Sequence, residues 1–206
     1  MLNSASNPRR AKPEDIYALT QLFVAAFRGD PIINWIARSG PKRALALEQF
    51  FFWLLHERAI PAGEVWMSDD GATCAAWLPP DARMQPDGFF GQLRLLPLYL
   101  RFFGFPRLRS GAAMAKAMEE NHPHERHFYL SFMAVAPRFQ GVGLGSAILE
   151  TTLKHVDNAQ MPAYLENSNP KNARLYERAG FVALKNIAPE GAPPLVAMWR
   201  PVNTTE

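Results

Sequence analysis

The chain has 206 residues, 48% of them hydrophobic and 20% charged, with a net charge of +3. That length can bury a full core as one domain over 1–206, and the composition is that of a globular protein in water. The charge is too small to argue for a nucleic-acid partner, and the lone Cys74 excludes an internal disulfide and suits a reducing cytoplasm.

Residues 1–7 read as a frayed polar tail with no apolar signal region, and Arg9 to Ala11 as a short first strand. Pro13-Glu14-Asp15 opens a helix, since proline and acids suit a first turn. Ile16, Leu19, Leu22, Phe23 and Ala26 give it an apolar face that ends before Gly29. Asp30-Pro31 starts a second short helical segment with Ile33, Trp35 and Ile36, and Asp30 is read as its cap. Lys42 to Ala59 is a third helix, apolar on almost every side and therefore mostly buried, with His56 as a cap or surface residue. Glu64–Met67 and Ala72–Leu78 are strands joined through Asp70-Gly71, a hairpin signal, and Cys74 in the second is a small buried hydrophobe.

Residues 81–120 carry two helical patterns, Gly88–Phe103 and Pro106–Glu120. Arg94, Pro97 and Arg101 interrupt the first, which argues against a membrane span. The layer reads either as extra core or an oligomer contact, or as the wall of a ligand pocket. His122, His124 and His127 follow in a stretch without cysteine or helical His-x-x-x-His spacing, so a solvated loop is expected and no metal site. Beyond it come a buried strand to Val135, a helix over 143–157, a strand over 162–166, a helix over 170–179 and strands over 181–187 and 195–200.

The most informative stretch is Gln140-Gly141-Val142-Gly143-Leu144-Gly145-Ser146, between the buried strand and an apolar-periodic helix. A glycine loop at a helix N-terminus turns backbone N–H groups toward a phosphate. The loop lacks the lysine of a P-loop, and Ser146 stands where a dinucleotide fold needs its third glycine. Glu166, at the end of the next strand, sits where a ribose-binding acid would, so a nucleotide-dependent oxidoreductase stays open at this point.

After the Val135-Ala136-Pro137 strand end, this loop resembles the acyl-CoA loop of the GNAT N-acetyltransferase superfamily. Asn169-Pro170-Lys171-Asn172, followed by Leu175-Tyr176 and Gly180-Phe181, resembles that family's second signature. Pro162-Ala163-Tyr164-Leu165-Glu166 and the Pro-Pro-Leu start of the last strand look like its puromycin N-acetyltransferase branch. The resemblance implies an α/β (α+β) fold. A mixed, mostly antiparallel sheet of six to seven strands is flanked by helices and splayed between strands 4 and 5. The 81–120 segment is a helical insertion between strands 3 and 4.

The resemblance further implies acetyl transfer from acetyl-CoA to the amine of a small molecule, with no metal, no nucleic acid and no membrane, by a monomer or homodimer. The alternatives are acetylation of a protein N-terminus or lysine, or a CoA-binding sensor. Backbone amides of Gly141, Val142, Gly143, Leu144, Gly145 and Ser146 would hold the pyrophosphate, with Arg138 on the rim. Gln140 bonds either within the loop or to a phosphate. Backbone of Met133, Ala134 and Val135 would pair with pantetheine. Asn169 and Asn172 either reach CoA or brace the helix start. Tyr176 is the candidate acid for the thiolate, or a core tyrosine. Glu166, on one strand face with Tyr164, is the candidate base, an anchor for the ammonium, or a helix cap.

Overall fold

A computed structural model describes residues 1–82 and 88–203, so 83–87 of the expected insertion lie outside the described residues. The strands are β1 (Arg9–Arg10), β2 (Val65–Met67), β3 (Thr73–Leu78), β4 (Phe128–Val135), β5 (Ala163–Asn167), β6 (Val182–Asn186) and β7 (Val196–Arg200). They form one sheet in the order β1-β2-β3-β4-β5-β7-β6. The pair β4–β5 is parallel and the other five are antiparallel.

The helices are α1 (Leu2–Ser6), α2 (Ile16–Phe27), α3 (Pro31–Ile36), α4 (Arg43–Leu54), α5 (Gly88–Phe103), α6 (Leu108–Asn121), α7 (Leu144–Asn158) and α8 (Ala173–Arg178). Strand alternation sorts the side chains between the two faces of the sheet. Cys74 and Ala76 join Phe23, Phe51 and Leu54 from α2 and α4. Ala75 and Trp77 join Ile148, Leu149 and Leu153 from α7. Each fully buried leucine or phenylalanine contributes about 1.5–3 kcal/mol, so these two layers hold the sheet between them. The insertion forms both expected helices. α5 packs on α4, with Phe102 stacked on Phe50 at 4.3 Å. α6 lies on α3, where Met114 and Ile32 cover Tyr164.

Three expectations change. Residues 1–7 are no frayed tail: α1 lies on α7, Ala5 is fully buried with Ala72 and Leu144, and Thr151 Oγ1 donates to the Ser6 carbonyl at 3.1 Å. One small residue meeting two distant ones is invisible to local pattern. The helix over 42–59 is α-helical only to Leu54, then widens into a π-helical turn over Leu55–Ala59. The third change, in the histidine loop, belongs to the site below.

β4 carries a feature that its mostly apolar sequence hides. Its register with β3 shifts between Ala76↔Phe132 and Trp77↔Leu130, leaving Ser131 as the extra residue of a bulge. The Ser131 hydroxyl donates to the Ala76 carbonyl at 2.9 Å. The phase of alternation slips there: Leu130 and Met133 face α7, while Phe132 and Ala134 face α2. The bulge stands two residues past the last β4–β5 pair, where the two strands part.

Candidate functional site

Pro137–Phe139 make one 3-10 turn after β4, and the glycines then swing the chain into α7. Gly141 and Gly143 have φ of 81° and 89°, the left-handed region that favours glycine, and Gly143 is the α7 N-cap. The amides of Gly141, Val142, Gly143, Leu144, Gly145 and Ser146 donate no backbone hydrogen bond. They therefore stand as a cluster of donors at the positive end of a 15-residue helix. Gln140 Nε2 donates to the Val135 carbonyl at 3.2 Å, which bonds it within the loop. The exposed Arg138 guanidinium lies 4.7 Å from the Phe139 ring centre. A Cβ on Gly145 would stand 3.5 Å from Val135 Cγ2 and 3.7 Å from Leu175 Cδ2, so α7 begins close against β4.

Beside the loop the sheet opens. β4 and β5 pair only at Phe128↔Ala163 and Tyr129↔Tyr164. Further along, Met133, Ala134 and Val135 pair with Ala75, Cys74 and Thr73 of β3 but with no residue of β5. Their other backbone edge is left for a partner that can complete a ladder. Cys74 lies across this strand, fully buried, its thiol pushed up by that burial and so unreactive.

Glu166 sits on the α3–α6 face of β5, its side chain 4% exposed. Oε2 accepts a 2.5 Å hydrogen bond from the Tyr129 hydroxyl, whereas Oε1 is buried without a partner. The Tyr164 hydroxyl is likewise buried and unpartnered. Burial first, and the Glu166 charge second, push both phenols up, so they stay protonated donors. His122 stands edge-on to Tyr129 and Tyr164 at 5.2 and 5.1 Å, its Nδ1 3.8 Å from Glu166 Oε1. His127 meets Tyr164 at 5.4 Å and Trp199 at 5.5 Å, and its Nδ1 donates to the Glu125 carbonyl at 2.6 Å. Burial holds His127 below the ordinary imidazole range, so its ring is neutral.

The loop expected to be solvated is so only in its middle. His124, Glu125 and Arg126 are exposed, while His122 and His127 turn inward. The end of α6 and the start of β4 fix the two ends of the loop above Tyr164, and the rings at those ends go in with them. Sequence reading missed His122, His127, Tyr129 and the Ser131 bulge. The one available signal was the spacing of His127 and Tyr129, two apart and so on one strand face.

Tyr176 lies on α8 inside the α7-side core, edge-on to Phe181 at 6.1 Å. Burial and then the Asp30 carboxylate push its hydroxyl up, which keeps the proton on it. Asp30 caps α3 as expected: Oδ1 accepts from Ile33 N–H at 2.9 Å, while Oδ2 accepts from the Ser168 hydroxyl at 2.5 Å. Asn169 Oδ1 accepts from Lys171 N–H at 3.2 Å, so Asn169 caps the turn after β5. Asn172 holds the N-cap position of α8, one helical turn before Tyr176, without a side-chain cap bond. Among the described residues no three of His, Cys, Asp and Glu are arranged to hold a metal ion, and no helix is long and apolar enough to cross a membrane.

A glycine loop rich in free amides, a helix N-terminus and an opened parallel strand pair thus lie side by side. Residues 110–181 match the family model described as the acetyltransferase (GNAT) family. An uncharacterized N-acetyltransferase of Schizosaccharomyces pombe is 25% identical over 191 residues, covering 87% of this chain and 75% of that protein. A solved Corynebacterium glutamicum structure, a histone acetyltransferase HPA2 and related acetyltransferase, is 25% identical with a TM-score of 0.73, over 96% of this chain and 97% of that one. Arylalkylamine N-acetyltransferase 2 from Aedes aegypti shares the fold at 15% identity, with a TM-score of 0.61 over 95% and 98% of the two chains. Over residues 110–181 the chain is similar to the GNAT acetyltransferases, and the relative and the solved structures agree in that class.

Proposed function

We propose that this enzyme acetylates the primary amine of a small molecule by direct transfer from acetyl-CoA. The observation that carries the reading is Glu166 Oε1, a buried carboxylate oxygen without a partner inside a ring of aromatic side chains. A desolvated carboxylate attracts an ammonium, and α6 roofs this face of the sheet, which suits a compact acceptor better than a peptide. Two neighbours agree in kind: the Aedes arylalkylamine enzyme, and a Drosophila melanogaster polyamine N-acetyltransferase at 14% identity and TM-score 0.61.

Acetyl-CoA supplies the activated acetyl group. The loop amides from Gly141 to Ser146 hold its pyrophosphate, and the free backbone edge from Met133 to Val135 pairs with the pantetheine arm. Glu166 Oε1 takes a proton from the acceptor ammonium, freeing the lone pair that attacks the thioester carbonyl. As the tetrahedral adduct collapses, the Tyr176 hydroxyl gives its proton to the departing thiolate, and the second proton shed by the attacking nitrogen restores the phenol.

The test is a panel of small primary amines, with N-terminal and lysine peptides alongside, read by the thiol released from acetyl-CoA. At least one small amine is expected to turn over, and acetyl-CoA at a hundredfold its Kd stabilises the fold by about 2.7 kcal/mol. Turnover confined to peptides, or a thermal shift with NAD and none with acetyl-CoA, overturns the reading.

A further inference from the structure

We propose that His122 is the proton outlet of the Glu166 site, taking from the carboxyl the proton that the acceptor has shed and passing it to water. The inference rests on the acetyl-transfer reading above. A carboxylate shut among aromatic rings must discharge its proton before it can serve again, and the groups around Glu166 leave one route. Tyr129 is already protonated and spends its hydrogen bond on Oε2. Tyr164 is a protonated phenol as well. His127 is buried, and its Nδ1–H is committed to the Glu125 carbonyl.

Among the described residues, His122 alone reaches both ways. Its Nδ1 is 3.8 Å from Glu166 Oε1, and its side chain is 39% exposed. Glu166 and Tyr164 face it from β5, and His127 and Tyr129 from β4. Its own N–H bonds back to the Glu119 carbonyl at the end of α6, which fixes where the ring enters. The 3.8 Å gap is longer than a hydrogen bond, so a small ring rotation or one bridging water completes the contact.

The proton balance is simple. The ammonium N–H bond breaks as an O–H bond forms on Oε1. That O–H bond breaks as Nδ1–H forms on the neutral imidazole. The imidazolium then releases its Nε2 proton to solvent, and exchange with solvent restores the starting tautomer. His122 touches neither the amine nor the thioester; it acts on the reaction only through Glu166.

The experiment compares wild type, His122→Ala and His122→Gln with an accepted amine across pH, with and without added imidazole. His122→Ala is expected to lower kcat at neutral pH by about tenfold or more, less than the roughly hundredfold of direct general acid–base catalysis, with acetyl-CoA Kd unchanged. Imidazole restores the rate of His122→Ala but leaves His122→Gln slow, because glutamine fills the gap. A His122→Ala kcat within about twofold of wild type, or a slow variant that imidazole does not rescue, reduces His122 to packing. A wild type that turns over no amine refutes the acetyl-transfer reading itself, and this inference with it.

Discussion

Tyr176 and Glu166 sit at opposite ends of the proposed chemistry, and their surroundings suit opposite tasks. Glu166 keeps one oxygen free of any donor, which leaves it able to take a proton. Tyr176 is enclosed by the core, where burial and then the Asp30 carboxylate keep the proton on the phenol. Tyr176→Phe retains the ring packed against Phe181 and removes only the hydroxyl. The expected result is a kcat lower by about a hundredfold with acetyl-CoA affinity intact, whereas a packing role would lower the melting temperature and spare the rate. Steady-state rates and a melting curve on one preparation separate the two. Both residues were legible as candidates because each falls in a motif. His122 was not: it becomes interesting only when α6 ends above β5, and no spacing along the chain reports that.

The elements that build the site are short joints between longer, well-packed ones. The joint from β4 to α7 is the most demanding, since Gly141 and Gly143 both take positive φ and the free amides depend on it. Gly143→Asp forces a side chain into a left-handed position and sets a carboxylate where phosphate is to bind. The residue is exposed, so the fold is expected to survive with a strain of about 1 kcal/mol, while acetyl-CoA affinity falls at least tenfold by calorimetric titration. An unchanged Kd would remove the loop from the cofactor site.

A second joint ties β1 to the start of α2. Arg9 donates to both oxygens of Asp15 at 2.7 and 2.8 Å, and the Lys12 N–H adds a third bond at 2.8 Å. The Arg9 guanidinium holds the Asp15 carboxyl down at about 2. A carboxyl lowered on folding stabilises above its unfolded value near 3.9 and loses that contribution as pH falls toward 2. Arg9 is 39% exposed, so solvent screening reduces the contribution to about 1 kcal/mol. Asp15→Asn should therefore unfold at lower denaturant at pH 7, with the gap to wild type closing between about pH 4 and pH 2. A gap that persists at pH 2 would assign the loss to packing.

At the scale of the whole molecule, the seven-stranded sheet divides the labour between its faces. α7 and α8 on one side carry the loop and Tyr176, while α3 and α6 on the other cover Glu166. The parting of β4 from β5 joins the two sides, so donor and acceptor could meet through the sheet rather than across its surface. Within the helical insertion, α5 adds core against α4, and α6 packs over the face of the sheet that carries Tyr164 and Glu166.

The chain alone determined what depends on near neighbours. The glycine loop, the Asp30 cap and the order of strands and helices follow from spacing and periodicity, because turn geometry, caps and strand faces are set within a few residues; the candidacy of Glu166 and Tyr176 came from the resemblance that those motifs carry. Tertiary structure decided the rest. The Ser131 bulge lies in a run of apolar residues whose two faces look alike in sequence, so only the register against β3 shows where the phase slips. The docking of α1 turns on Ala5 meeting Ala72 and Leu144, contacts whose free energy exists only once the sheet has formed. The enclosure of Glu166 draws on α6, β4, β5 and β7, and a carboxylate becomes a desolvated acceptor of protons only when all of them have closed around it.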